Sequence, residues 1–259
     1  MKLKVLLEGK PFMTEYGIVG YSTVVFIACD DGKNILYDCG SKGCALQLKE
    51  ALKIEGMKSE DITHVVISHL HFDHFDYDAI PIVAQCTKRT LFFGPASCQE
   101  KFIELGIQAH RCHRLDRGEC YQDEKILIRA VMADHGTMAP DAIGILVAFA
   151  GHRLYFSGDT AFHSELFQEI RIFEPDIAVL SVNGAFGNMN AEEGAAAELT
   201  GARYAVPCHF WTFMEHGGLP GQFCEQLLLK GTCQPLCFRQ GEIRTMQCHT
   251  NRERKKETA

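Results

Sequence analysis

The stretch HLHFDHFD, residues 69 to 76, places three histidines and two aspartates in eight positions directly after the run VVIS. Imidazole nitrogens and carboxylate oxygens are natural donors to a divalent ion, and a catalytic site holds its ion with about three protein ligands and one position open to water. His69 and His71 are two residues apart, so on an extended continuation of the preceding strand they point the same way. Asp73 and His74 come where the chain would turn into a helix, placed to serve a second ion. The other donors must come from elsewhere. Three later stretches put a histidine or aspartate where a strand-like run ends: AVMADHGT with His135, LYFSGDTA with Asp159, and YAVPCHFWTF with His209. Each sits beside small residues that allow close backbone approach. Side chains at the ends of strands converge on one rim of a sheet, where α/β proteins build their sites. The resulting expectation is His69, His71 and His135 around one ion, Asp73, His74 and His209 around another, and Asp159 bridging the two.

Such a cluster needs a scaffold of strands and helices. β-branched and aromatic residues between Gly and Asp breaks predict strands over 2–7, 22–29, 33–38, 63–68, 90–93, 125–133, 143–149 and 152–157, with a hairpin turn at DDGK, residues 30 to 33. Helical periodicity predicts helices near 44–55, 96–105, 163–172, 190–200 and 221–230, with Ser97, Ser164 and Asn190 as caps. DIAVLSV, RYAVPCH and PLCFR alternate with the later helices as further strands. A strand-rich first part followed by mixed strand and helix implies an α/β sandwich whose sheets are covered by helices. Residues 1–248 read as one domain, and NRERKKETA closes the chain as part of a charged tail, 249–259, expected to be disordered.

Composition narrows the function classes. The chain has 259 residues, of which 46% are hydrophobic, enough for a substantial core. A net charge of −7 gives no reason to expect nucleic acid as a partner, because backbone phosphates call for a clustered basic surface. No apolar run reaches the roughly 20 residues of a membrane span, and MKLKVLLEGKPF lacks a signal-peptide core, so the expected location is cytoplasmic. The 12 cysteines are scattered without a C-x-x-C pair and read as thiols of a reducing compartment. A homo-oligomer is compatible with all of this.

The order ILYDCG, H-x-H-x-D-H, the His135 segment, SGDT and VPCHF resembles the metallo-β-lactamase superfamily of dinuclear hydrolases over nearly the whole chain. The resemblance implies a four-layer αββα sandwich with the metals at one edge of both sheets. It also implies that Asp38 supports the metal ligands from behind. The extension through Asp76, Tyr77 and Asp78, together with the acidic helix leading to Pro-x-His, is similar to the branch of L-ascorbate 6-phosphate lactonase and an N-acyl phosphatidylethanolamine phospholipase. Redox diiron relatives usually carry Glu where this chain has His71. RNA-processing relatives carry an added nucleic-acid-binding domain or basic arm, and neither is evident.

The expected function is therefore hydrolysis of a small-molecule substrate, a small lactone or phosphorylated ester. Two divalent ions, zinc or manganese with iron as a third option, would acidify a water and polarise the bond under attack. Asp73 and Asp159 are the expected catalytic carboxylates, with His216 as a general acid or substrate-orienting group. A phosphodiesterase is the alternative, and a metal-binding protein without turnover a second one. Trp211 and Asn183 read either as pocket lining or as a core aromatic and a turn cap. Phe12, Met13 and Tyr16 fall in a loop between the first strands, which in relatives often overhangs the site, and read either as such an overhang or as packing on the sheet. Cys208, one residue before His209, is expected to face away from the metals.

Overall fold

Two seven-stranded sheets face each other and share one core. The computed structural model describes residues 1–7, 12–14, 17–19, 22–29, 32–41, 44–86, 88–210 and 218–246, with only the backbone at 12–14 and 17–19. Tyr16, Trp211, His216 and the tail 249–259 lie outside the described residues, as do two residues of the DDGK turn.

The first sheet runs, edge to edge, through Ile243–Thr245, Lys2–Leu7, Val24–Ala28, Asn34–Tyr37, His64–Val66, Leu91–Gly94 and Cys112–Arg114. Its first four strands pair antiparallel and the rest parallel. The second runs through Gln234–Pro235, Tyr204–Cys208, Ile177–Ser181, His152–Phe156, Ile143–Phe149, Ile126–Met132 and Cys120–Gln122, parallel in its first half and antiparallel in its second.

Alternation along the strands sorts side chains between layers. Leu3, Val25, Ile35 and Val66 meet Ile128, Ile145, Leu154 and Val179 in the layer between the sheets. Their neighbours Val24, Phe26, Leu36 and Val65 face outward against helices Ala45–Ile54, Ala79–Cys86 and Ala96–Glu104. On the other side Tyr155, Ala178, Leu180 and Ala205 face Ser164–Phe173, the helical segment Ala191–Thr200 and Pro220–Lys230. Strands covered on both faces read as unbroken apolar runs. The order is helix, sheet, sheet, helix, so the expected four-layer sandwich is what forms. No disulfide forms among the described residues.

Several local expectations need correction. Pro95, not Ser97, caps its helix and Ser97 lies within the first turn; Ser164 is likewise inside its helix, with His163 at the cap. Asn190 does cap, accepting from the Glu192 and Glu193 amides in a reciprocal capping box with Glu193. Residues 72–75 form a turn closed by His74 N and Phe75 N on His71 O, and the next helix starts only at Ala79.

Candidate metal centre

The strands Asn34–Tyr37, His64–Val66, Ile126–Met132, His152–Phe156, Ile177–Ser181 and Tyr204–Cys208 all end at the same rim of the sandwich, within three residues of Asp38, His69, His135, Asp159, Asn183 and His209 respectively. Backbone hydrogen bonds tie these loops together: Asp38 N to Val66 O (2.9 Å), Cys39 N to His74 O (2.9 Å), Ile143 N to Ser68 O (3.1 Å) and Val182 N to Cys208 O (3.0 Å). Gly158 has φ +61°, and a Cβ there would stand 2.7 Å from Ile143 O. Only glycine lets the chain pass between two strands to deliver Asp159.

The seven residues proposed from sequence converge, and their donor atoms fall into three overlapping groups. His69, His71 and His135 form one; Asp73, His74 and His209 another; Asp159 joins a third with His69 and His74. His69 Nε2 lies 3.0 Å from His71 Nδ1, and His71 Nε2 donates to Met138 O at 3.1 Å, so Nδ1 is the inward atom of His71. His209 Nε2 lies 3.2 Å from Asp73 Oδ2 and 3.3 Å from Asp159 Oδ2. His74 Nε2 is 2.9 Å from His209 Nε2 and 3.6 Å from Asp159 Oδ1.

A further ring of side chains fixes these donors. Asp38 Oδ2 accepts from His74 Nδ1 at 2.7 Å, and Asp38 Oδ1 accepts from the Ser68 amide at 3.0 Å. That leaves His74 Nε2 to face the site. Asn188 Nδ2 donates to Asp159 Oδ2 at 2.6 Å and Ser181 Oγ to Asp159 Oδ1 at 3.2 Å. Thr23 Oγ1 accepts from the His209 amide at 2.9 Å, and Ser22 Oγ donates to Asp73 O at 2.7 Å. Asn183 is fully buried, with Nδ2 3.4 Å from His209 Nδ1 and Oδ1 accepting from Ala185 N. Asp76 is also buried; its Oδ1 accepts from Asp78 N and Ala79 N, capping the helix that follows the motif. Ser22, Thr23, Ser68, Ser181 and Asn188 are absent from the sequence-based set. Their only signal is a hydroxyl at or beside a strand end or, for Asn188, an amide in a loop.

Asp38 and His209 have φ of +52° and +58°, a left-handed conformation uncommon outside glycine. At His209 this breaks the strand's alternation and corrects the expectation for Cys208. Cys208 packs against the inter-sheet core and lines the same small cavity as Tyr37, Asp38, His74, Asp159 and His209.

The electrostatics divide the cluster. Burial opposes charge on His74 and His209, but Asp73, Asp38 and Asp159 raise His74 above the usual imidazole value, and Asp159 with Asp73 hold His209 well above it. Burial also works against the carboxylates, yet His74 and His209 hold Asp73 low, and His209 and His74 hold Asp159 well below the carboxylate range. Burial depresses His69 well below its usual value, with His74 adding repulsion, and depresses His135 as well.

These residues fit divalent ions. Five imidazoles and two carboxylates offer only nitrogen and oxygen, and His69, His71 and His135 crowd lone-pair-bearing rings at centroid separations of 4.5 to 5.3 Å without a carboxylate among them. His135 Nδ1 is buried with no hydrogen-bond partner.

A family profile described as Beta-lactamase superfamily domain matches residues 33–210. The chain belongs to that superfamily. The matched span carries all seven converging residues. A protein of Deinococcus radiodurans named UPF0173 metal-dependent hydrolase is 28% identical over 224 residues, covering 79% of this chain and 88% of its own. Among solved structures, Igni18, a metallo hydrolase from Ignicoccus hospitalis, superposes with a TM-score of 0.72 at 21% identity, over 95% of this chain and 99% of its own. The metallo-β-lactamase fold protein YhfI from Bacillus subtilis superposes with a TM-score of 0.71 at 15% identity, over 94% and 99%. Both likenesses concern the fold. Among the described residues no helix is long and apolar enough to cross a membrane.

Proposed function

We propose that this superfamily member is a metal-dependent hydrolase with a dinuclear centre, cleaving a small lactone or phosphorylated ester. The observation that carries the proposal is the convergence of His69, His71 and His135 beside Asp73, His74 and His209, with Asp159 between them. The name of the Deinococcus radiodurans relative supports the hydrolase reading. The sequence resemblance to the L-ascorbate 6-phosphate lactonase branch supports the substrate type.

In this reading His69, His71 and His135 would hold one ion, Asp73, His74 and His209 the other, and Asp159 both. Bound there, zinc or manganese would supply Lewis acidity and acidify a water. The protein's own share is orientation and charge. Asp38 takes the Nδ1 proton of His74 in a hydrogen bond and so aims Nε2 inward. Asn188 and Ser181 donate to Asp159 and pin both of its oxygens. Asp73 and Asp159 bring two negative charges to a buried site, offsetting the cations it would take up. All seven residues except His71 are buried, which strengthens each of these interactions.

The test is hydrolysis of a panel of lactones, phosphorylated esters and bis(p-nitrophenyl) phosphate by metal-reconstituted protein. Turnover of lactone or phosphorylated ester supports the proposal. Turnover of the phosphodiester alone would replace it with a phosphodiesterase, and metal uptake without any turnover would leave a metal-binding protein.

A further inference from the structure

Four of the donor imidazoles are steadied through the ring nitrogen that faces away from the centre. Ser68 Oγ lies 3.0 Å from His69 Nδ1, Met138 O accepts from His71 Nε2, Asp38 accepts from His74 Nδ1, and Asn183 Nδ2 stands 3.4 Å from His209 Nδ1. His135 is the exception. Its Nε2 lies 3.9 Å from Asp159 Oδ2, while its Nδ1 is buried with no hydrogen-bond partner among the described residues. No side chain orients this ring from behind, so its aim comes from the backbone that carries it.

That backbone is a loop with little apolar support. Between the strands Ile126–Met132 and Ile143–Phe149, the cluster it buries is three alanines, Ala133, Ala139 and Ala142. A segment with so few apolar contacts depends on its polar ties. Asp134 Oδ1 accepts from Gly136 N at 3.1 Å and closes a turn over His135, in which Gly136 takes φ +59°. The other oxygen, Asp134 Oδ2, accepts from His163 Nε2 at 2.9 Å. His163 stands at the start of helix Ser164–Phe173 but makes no side-chain cap there, so its ring serves Asp134 instead. Two more bonds join the same segments: Thr160 Oγ1 accepts from Asp134 N at 2.9 Å, and Asp134 O from Ala161 N at 2.8 Å. The loop also supplies Met138 O to His71, so two donors of one half of the centre depend on it.

We propose that His163 is a positioning residue: through Asp134 it fixes the turn that aims His135, and so sets the affinity for the ion expected at His69, His71 and His135. For the ion this rests on the dinuclear reading; for the loop it rests on the turn geometry alone. The His163–Asp134 pair is partly exposed and contributes little to overall stability, which makes its effect local.

The test compares the full chain, His163→Ala and His163→Gln, whose amide N–H replaces the Nε2–H donor, in stepwise zinc titration against a competing chelator. The step to follow is the one that His135→Ala weakens. His163→Ala should lower affinity at that step by about fivefold with the other step unchanged, and His163→Gln should recover most of the loss. A second readout is amide hydrogen exchange of the metal-free protein. Residues 133–142 should exchange about fivefold faster in His163→Ala and close to the wild-type rate in His163→Gln, with helix Pro220–Lys230 unaffected. Equal losses at both zinc steps, no loss at either, or no recovery in His163→Gln overturns the proposal. Should the wild type bind fewer than two ions, the dinuclear reading fails and the exchange decides the positioning role by itself, faster exchange confined to the loop supporting it and unchanged exchange overturning it. If His163→Ala does not fold, His163→Phe, which keeps a ring without the donor, is measured in its place.

Discussion

The two halves of the candidate centre reach order by different means. Asp73, His74 and His209 are a buried ion-pair cluster: two imidazoles held above their usual values by carboxylates at 3.2 to 3.6 Å, with Asp38 behind one ring and Asn183 beside the other. His69, His71 and His135 have no carboxylate of their own, and the nearest, Asp159, stands 3.9 Å from His135. Burial keeps His69 and His135 below their usual values, so this half presents lone pairs rather than protons. One half is satisfied by internal charge before any ion arrives, and the other is a set of donors without an acceptor. The contrast teaches that metal uptake should cost protons in the first half and supply order in the second.

The largest expected effect comes from removing the residue the halves share. Asp159→Ala should lower turnover by roughly a thousandfold while the far-ultraviolet circular dichroism stays native, since several kcal/mol of charge stabilisation are lost at one point. Retained turnover would remove Asp159 from the bridging role. Next, the halves should differ in how they support the fold. His209→Ala breaks a buried pair and should destabilise the metal-free protein by about 3 kcal/mol, because a buried charge left without its partner is costly. His135→Ala relieves crowded imidazoles and should cost about 1 kcal/mol or less. Chemical denaturation of both variants without metal compares them, and equal losses would erase the distinction.

A smaller effect separates orientation from ligation. Asp38→Asn keeps the shape but weakens the bond to His74 Nδ1, and should reduce metal affinity by about 10- to 100-fold with the ion count at saturation unchanged. A lost ion would make Asp38 more than a support. Finally, neighbouring carboxylates raise both His74 and His209 above the usual imidazole value, which favours their charged forms in the metal-free fold over those of free imidazoles. Their contribution to metal-free stability is present below the unfolded imidazole value and lost as pH rises through the folded ones. Asp73 and Asp159, lowered, are already ionised and release nothing. Calorimetric titration in buffers of different ionisation enthalpy should therefore show net proton release on metal binding, with affinity rising with pH. Release of none would contradict the charge state assigned to that half.

How legible this was depended on the length of chain carrying each signal. Seven-residue strands such as Ile126–Met132 show their alternation openly, and the four-layer order follows from them together with the superfamily resemblance. Strands of three residues at the sheet edges, Cys112–Arg114 and Cys120–Gln122, are too short to show any period. The helix Ala79–Cys86 was missed because AIPIVAQC lacks a polar face and contains Pro81, which is harmless in a first turn. Its cap, Asp76, was read as a mark of one branch of the superfamily. The converging residues were visible because each is a rare type at a strand end. The residues that hold them, Ser68, Ser181 and Asn188, were not, because a hydroxyl or amide in a loop is common and only three-dimensional proximity gives it a role. The turn at His209 was equally hidden, since nothing in VPCHF announces a left-handed residue.

The most direct test of the dinuclear centre is elemental analysis of protein reconstituted with excess zinc or manganese and then desalted. Two ions per chain are expected. Fewer than one per chain would contradict a metal centre at these residues.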